Sequence, residues 1–358
     1  MNKAKKDPAT GTWSIQYRYT DWQGEQHKST KRGFKTKRDA ENWLSTFLAK
    51  QEVNFDMKMK DFIDIYMEDC KSRLRENTIL TKEYIINDKI LPYFGKKAVN
   101  SITAADIRRW QNELIGKGYK PTYLKTINNQ LTAVFNFAVN YYDLGSNPCK
   151  KAGSMGKAKA EEMPFWTVEE FEIFLDHMMD KRRSYVAFEL LFWTGLRKGE
   201  LLALTREDVD LEKKVLTVNK SYQRIKKKDV ITPPKTPKSN RTISLPDFLV
   251  TDLQEYFDSV YGLEPKDRLF PVGESHFNDE IKRGIQKSGV QEITVHNLRH
   301  SHAAMLAHMK IMPLEVASRL GHENVETTLD IYEHLYPDSQ MKLAEEINKR
   351  YKKGERDE

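Results

Sequence analysis

The stretch 191-LFWTGLRKGELLAL-204 reads as an apolar helix interrupted by two charged side chains, Arg197 and Glu200, one helical turn apart. An arginine beside an apolar stripe needs a buried anionic partner or an anionic ligand; a simple surface pair with Glu200 accounts for the spacing equally well. Two later stretches carry polar groups of the same kind. In 296-HNLRHSHAAML-306, His296 and Arg299 share one helix face at i,i+3, while Ala303, Leu306 and Ala307 supply packing. In 320-LGHENVETTLDIYEHL-335, His322 sits in a turn marked by Gly321, and Tyr332 falls on or just after a short helix. His296 and His300 have zinc-ligand spacing, but Asn297 stands where a metalloprotease needs its glutamate, and no third ligand is near.

Between these stretches, 214-KVLTVNKS is β-rich, and 229-DVITPP and 240-NRTISLP are expected to flank a hairpin whose turn holds Lys235-Thr236-Pro237-Lys238-Ser239. Helices return from there to the carboxy terminus. Thr167-Val168-Glu169-Glu170 is a capping box, so this last domain opens near residue 164.

Working back toward the amino terminus, 12-TWSIQYRYT-20 alternates as a half-buried strand, with Trp13, Ile15, Tyr17 and Tyr19 on one face. A turn at Gly24 returns 25-EQHKSTKRGF-34 antiparallel, and Thr36 caps a helix over 37–50. The exposed sheet face is expected to carry Arg18, Lys28 and Lys31, and a two-stranded ribbon of this kind can enter a DNA major groove. Residues 57–142 then show four helical periods, roughly 57–71, 77–91, 103–116 and 121–142, the last amphipathic with Lys125 off its apolar stripe. The segment 149–163 has small residues, lysines and no periodicity, and reads as a linker.

Charge sharpens this division. The 358 residues carry a formal charge of +7, which resolves into +6 for residues 1–50, +6 for 51–160 and −5 for 161–358. Two basic modules thus precede an acidic one, as expected of a chain that brings a polyanion to its last domain. No apolar run approaches the roughly 18 to 20 residues of a spanning helix. The amino terminus has no apolar signal core, and Cys70 and Cys149 are the only cysteines. A cytoplasmic, DNA-associated protein is expected.

The scattered groups have one coherent chemistry. Two arginines, two histidines, a lysine and a tyrosine suit in-line attack on a phosphodiester with no metal or other cofactor, the guanidinium groups holding oxygens on which charge develops. The aryl phosphoester so formed is reactive enough to be reversed, which strand exchange requires and hydrolysis does not.

The ordered set Thr194-Gly195-Leu196-Arg197-x-x-Glu200, Lys235-Thr236 before Ser239-x-Arg241, His296-x-Leu298-Arg299-His300, Leu320-Gly321-His322 and Tyr332 resembles the signature of the tyrosine recombinases, or phage integrases. The two amino-terminal segments resemble, in arrangement only, the arm-type and core-type DNA-binding domains of integrases from temperate phages and conjugative transposons. The resemblance implies a multidomain α+β chain. An arm-type domain of small sheet and helix spans 1–54, a four-helix core-type domain spans 55–148, and a linker spans 149–163. A mainly α catalytic domain with a small antiparallel sheet and a tail helix spans 164–358.

It also implies roles. Tyr332 is the nucleophile that forms a 3′-phosphotyrosyl link; Arg197 and Arg299 hold the phosphorane; Lys235, rather than Lys238, is the general acid. His296 assists proton transfer, His322 donates to the phosphate, Glu200 orients the site, and His300 is structural. Implied partners are double-stranded attachment sites of core and arm types, a homo-tetramer on DNA through the tail 338–353, and excision, directionality and DNA-bending factors, with no membrane. The alternatives are a type IB topoisomerase, which shares the chemistry but joins no two sites, so that two DNA-binding modules fit an integrase better, and a non-catalytic DNA-binding regulator, which has no need of the ordered set.

Overall fold

The computed structural model describes residues 4–8, 10–20, 26–51, 56–158, 164–234, 236–335, 343–345, 347–349 and 351. The chain divides into two compact units, residues 1–161 and 162–358.

The first unit begins with an antiparallel sheet of β1 (Lys5–Lys6), β2 (Trp13–Thr20) and β3 (Gln26–Phe34), followed by α1 (Lys37–Gln51). The period-2 alternation puts Ile15 and Tyr17 against Ala40, Trp43 and Leu44 of α1, and the Thr36 hydroxyl accepts from the Asp39 amide at 3.1 Å to start that helix. Cross-strand partners share a face, and the register decides which lysine goes where. Arg18 opposes Lys28 on the outer face. Lys31 opposes Ile15, and its ammonium lies 5.9 Å from the centroid of the Trp43 ring. The expectation that Lys31 joins the other two on the open face is therefore corrected, because an odd offset in a strand reverses the side.

A helical module follows: α2 (Met59–Arg73), α3 (Glu76–Ile85), a single π turn (Ile86–Ile90), α4 (Leu91–Phe94), α5 (Ala104–Gly116) and α6 (Pro121–Tyr141). Pro92 has no amide to donate back into the preceding turn, and the helix opens to the wider π geometry just ahead of it. Thr103 and Asp106 make the reciprocal capping box of α5. The stripe Leu124, Ile127, Leu131, Val134, Phe135 and Ala138 of α6 is buried against Phe62, Phe94 and Trp110.

Residues 149–157, the first part of the expected linker 149–163, are instead packed on this module. Pro148–Ala152 forms α7, Met155 is buried, and the Lys157 amide donates to Pro121 O at 3.2 Å. Small residues make this docking feasible: at Gly156, with φ +77°, a Cβ would lie 2.0 Å from Pro121 O.

The second unit is built on α8 (Val168–Asp176), α9 (Arg182–Thr194), α10 (Lys198–Ala203), β4 (Val209–Asp210), β5 (Val215–Val218), β6 (Ser221–Ile225), β7 (Lys228–Thr232), β8 (Arg241–Ser244), α11 (Asp247–Ser259), α12 (His276–Ser288), α13 (Asn297–His308), α14 (Pro313–Leu320) and α15 (Glu326–Leu335). Its core joins Trp166, Phe171, Phe174, Phe188, Phe192 and Phe277, with the Phe171 and Phe192 rings stacked at 3.9 Å. The Trp166 amide donates to Ser301 Oγ at 2.9 Å, and Asn297 Nδ2 donates to Pro164 O at 2.8 Å, which straps the start of the unit to α13.

The strand expectation is corrected here. The segments 229–232 and 241–244 do not pair with each other; β7 pairs with β6 as a separate hairpin, and β8 pairs with β5 in the sheet β4-β5-β8. A two-residue connection at 226–227 closes β6 on β7 first, and β8 is then left for the free edge of β5. Among the described residues no helix is long and apolar enough to cross a membrane. Of the expected tail helix, residues 343–345, 347–349 and 351 are described, all helical, with Leu343 and Ile347 exposed; Met341 lies outside the described residues.

Candidate active site

The apolar stretch 191–204 is two helices rather than one. α9 ends because Gly195 takes the left-handed conformation, φ +67°, where a Cβ would lie 2.5 Å from Leu320 Cδ2 and 2.8 Å from His302 Cδ2. Arg197 then occupies the N-cap of α10 and is held by Glu200 twice: its amide donates to Oε2 at 2.9 Å and its Nη1 to Oε1 at 2.7 Å.

Glu200 is 4% exposed, so this is no surface pair. Its compensation comes from Arg241 on β8, whose Nη2 and Nη1 reach Oε2 and Oε1 at 2.9 and 3.2 Å. Burial pushes the Glu200 carboxyl up, but Arg241 and then Arg197 outweigh it and leave it below the ordinary carboxylate range. Arg241 is itself oriented by Nε donating to Arg319 O at 2.8 Å, and Arg319 Nε donates to His302 Nε2 at 3.1 Å.

Arg299 projects from the first turn of α13 and is 3% exposed. Nη1 donates to Gly195 O and Nη2 to Leu320 O, each at 2.7 Å, so it spans the ends of α9 and α14. Burial and then the charge of Arg197 lower its pKa, yet a guanidinium starts so high that it remains cationic. These two bonds engage two of its five N–H groups, and the residue also lines the cavity described next.

Arg197, His296, Arg299, His300, Leu320, His322, Glu323, Asn324 and Ile331 line one cavity of about 290 Å³. His296 is the N-cap of α13 and stands exposed at its rim; desolvation first, then Arg299 and Arg197, lower its pKa. His300, expected behind the helix, lines the cavity, its ring edge-to-face with His296 at 5.1 Å. His322 follows Gly321, the left-handed cap of α14, and its Nδ1 lies 2.8 Å from the Thr328 hydroxyl. Desolvation, followed by His296 and Arg299 for His300 and by Arg299 and Arg197 for His322, brings both down to about 4, so both imidazoles are neutral at pH 7.

The structure does not bring Tyr332 to this cavity. Ile331 lines it, while Tyr332 packs beside Val316 and Leu320, and its hydroxyl donates to Ile311 O. Lys235 lies outside the described residues. Lys238, in the next turn of chain, donates from Nζ to Glu323 O at 3.1 Å at the cavity edge. In the first unit Arg18 and Lys28 are exposed, whereas Lys125 is half-buried and donates to Ser154 Oγ at 2.8 Å. Sequence reasoning assigned no role to Arg241, Arg319, His302 or Thr328. Arg241 stood within the Ser239-x-Arg241 motif; the other three carried no signal in spacing.

A sheet-and-helix module, a helical module and a cation-lined pocket with a tyrosine on the following helix define a tyrosine site-specific recombinase. The chain belongs to the phage integrase family, whose description matches residues 165–338; the phage integrase N-terminal SAM-like domain matches 58–115 and the arm DNA-binding domain matches 4–51. It is 30% identical over 302 residues to the ICEBs1 integrase of Bacillus subtilis, covering 80% of this chain and 81% of that one. It is 28% identical over 358 residues to a tyrosine recombinase XerC-like protein of Caldanaerobacter subterraneus, covering 88% and 90%. In fold it is similar to the Tn1549 transposon integrase solved with transposon right end DNA, with TM-score 0.71, 22% identity, and 82% and 100% of the two chains covered. A lambda integrase dimer bound to a core site gives TM-score 0.60 at 18% identity, covering 92% and 94%.

Proposed function

We propose that this recombinase cleaves and rejoins duplex DNA at attachment sites to integrate and excise a mobile element, with Tyr332 as nucleophile. Tyr332 Oη attacks phosphorus, the bond to the 5′-oxygen breaks, and a 3′-phosphotyrosyl link and a free 5′-hydroxyl result. Attack by the 5′-hydroxyl of a second duplex reverses the step and exchanges strands.

The observation that carries this reading is the cavity itself, where Arg197 and Arg299 converge with three histidines and the buried carboxylate behind them is already matched by Arg241. Such a site has a standing excess of positive charge and takes an anion of phosphate character. Arg197 and Arg299 hold the non-bridging oxygens. With Nδ1 of His322 engaged by Thr328, Nε2 is the nitrogen directed to phosphate. His296 accepts the tyrosine proton. Lys235 protonates the leaving oxygen; the turn that follows it lies against the cavity edge, with Lys238 O 3.1 Å from where a Cβ of Gly321 would be.

Arg18 and Lys28 oppose each other as like charges on the open face of the arm sheet, a pairing that an anionic partner relieves. They are assigned to arm-site DNA, and the helical module to core-site DNA. The tail beyond 338 is assigned to a neighbouring protomer in a tetramer; deleting 338–358 then leaves DNA binding intact and abolishes tetramers on native gels. An excision or directionality factor and a DNA-bending factor complete the assembly, in the cytoplasm.

A nicked duplex carrying the attachment site, incubated in chelator, tests the reaction. Wild type accumulates a covalent adduct and Tyr332→Phe does not. No adduct from wild type, or strict dependence on a divalent metal, overturns the mechanism.

A further inference from the structure

The β6–β7 hairpin turns on Lys226 and Lys227, both at positive φ, 49° and 67°. This is the backbone of a two-residue primed turn, which ordinarily takes Asn-Gly because a Cβ is disfavoured in the left-handed region. Two successive lysines there point to a requirement for their charge, since their own backbone preference opposes the turn. Lys226, Lys227 and Lys228 are all exposed. From 221 to 232 four cationic side chains stand against one carboxylate, within a region whose charges otherwise sum negative.

The remainder of the hairpin holds this tip in place. Tyr222 is buried, its hydroxyl donates to Asp229 Oδ1 at 2.6 Å across the pair, and the Arg268 guanidinium lies 4.9 Å from the centroid of its ring. Asp229, the one carboxylate, is thus taken up by Tyr222, Arg224 and Arg268. The base of β6 lies directly on α10: a Cβ at Gly199 would be 2.7 Å from Ser221 Oγ and 2.9 Å from Tyr222 O. Gly199 is two residues from Arg197. Five strand residues at about 3.3 Å carry the tip roughly 17 Å from that contact, close to half a turn of duplex DNA.

We propose that the β6–β7 hairpin is a second DNA-binding element of the catalytic unit, its lysine tip gripping duplex phosphates about half a helical turn from the one held at Arg197, without reading base sequence. The proposal rests on the DNA-joining reading above. It assigns the tip to affinity and salt dependence, and leaves the chemistry to the cavity.

Binding of the full chain to a mixed-sequence duplex is measured against salt for wild type, for Lys226→Gln with Lys227→Gln and Lys228→Gln, and for Lys226→Asn with Lys227→Gly. The triple variant should flatten the slope of log K against log salt by about 2 to 3 and weaken binding about tenfold or more near 0.15 M salt. The Asn-Gly variant relieves the turn, so it should melt no lower than wild type and yet lose slope by about 2. Lys213→Gln, which removes a cation already paired with Asp210, is the control and leaves the slope unchanged. Wild-type slope and affinity in both hairpin variants would overturn the proposal while leaving the recombinase reading intact. A wild-type chain that binds no duplex would overturn both.

Discussion

Arg241 forks both carboxylate oxygens of Glu200 from 41 residues away, and through Glu200 it sets the position of Arg197. Arg241→Met leaves a buried carboxylate with only its partly exposed partner. It should cost about 3 kcal/mol in urea unfolding and reduce covalent adduct formation at least tenfold. Arg197→Lys removes a partly exposed contact group whose buried partner keeps Arg241, so stability changes by less than about 1 kcal/mol while adduct formation falls as steeply. Equal stability losses in the two variants would contradict the separation of positioning from contact.

The hydroxyl of Tyr332 is committed to the Ile311 carbonyl in this conformation, outside the cavity. Tyr332→Phe should therefore destabilise the free protein by about 1 kcal/mol, the net worth of one hydrogen bond, as well as abolishing the adduct. A melting temperature identical to wild type would show that the bond to Ile311 is not populated in solution.

His300 and His322 at about 4, His302 at about 3 and a lowered His296 all favour the neutral ring in the folded state. The unfolded chain takes up these protons first, so the stabilisation is complete above the ordinary histidine pKa near 6.5 and is lost as pH falls toward 4. Unfolding midpoints should drop between pH 7 and 5. His302→Gln, which removes the one fully buried ring of the four, should flatten that drop without taking a group from the cavity.

Glu189 on α9 behaves oppositely. It is buried beside Asp252, and desolvation followed by that carboxylate raises it to about 8, so the fold favours its protonated form. Its contribution is complete below the ordinary glutamate pKa and is lost as pH rises through 8. Glu189→Gln keeps the shape without the proton equilibrium and should raise stability by roughly 2 kcal/mol at pH 7.5, with little change at pH 5. Calorimetry at the two pH values checks the sign.

Much of the fold was legible because its causes are local. The Thr103 and Thr167 capping boxes, the alternation of β2 and the apolar stripe of α6 each depend on residues within a few positions of one another, and each stands where the spacing places it. The order of Arg197, His296, Arg299 and His322 was enough to expect one anion site, since those residue types have few other reasons to occur together in that sequence.

Tertiary structure alone decided the rest. Strand register, an odd or even offset that no single strand encodes, set Lys31 over Trp43 and paired β7 with β6. The partners that hold these side chains come from far along the chain or from the main chain itself: Arg241 for Glu200, the Gly195 and Leu320 carbonyls for Arg299, and the Ile311 carbonyl for Tyr332. A carbonyl is present at every residue and so leaves no mark in a sequence. Only the packing of helix ends against one another determines which of them a buried guanidinium or a phenol will find.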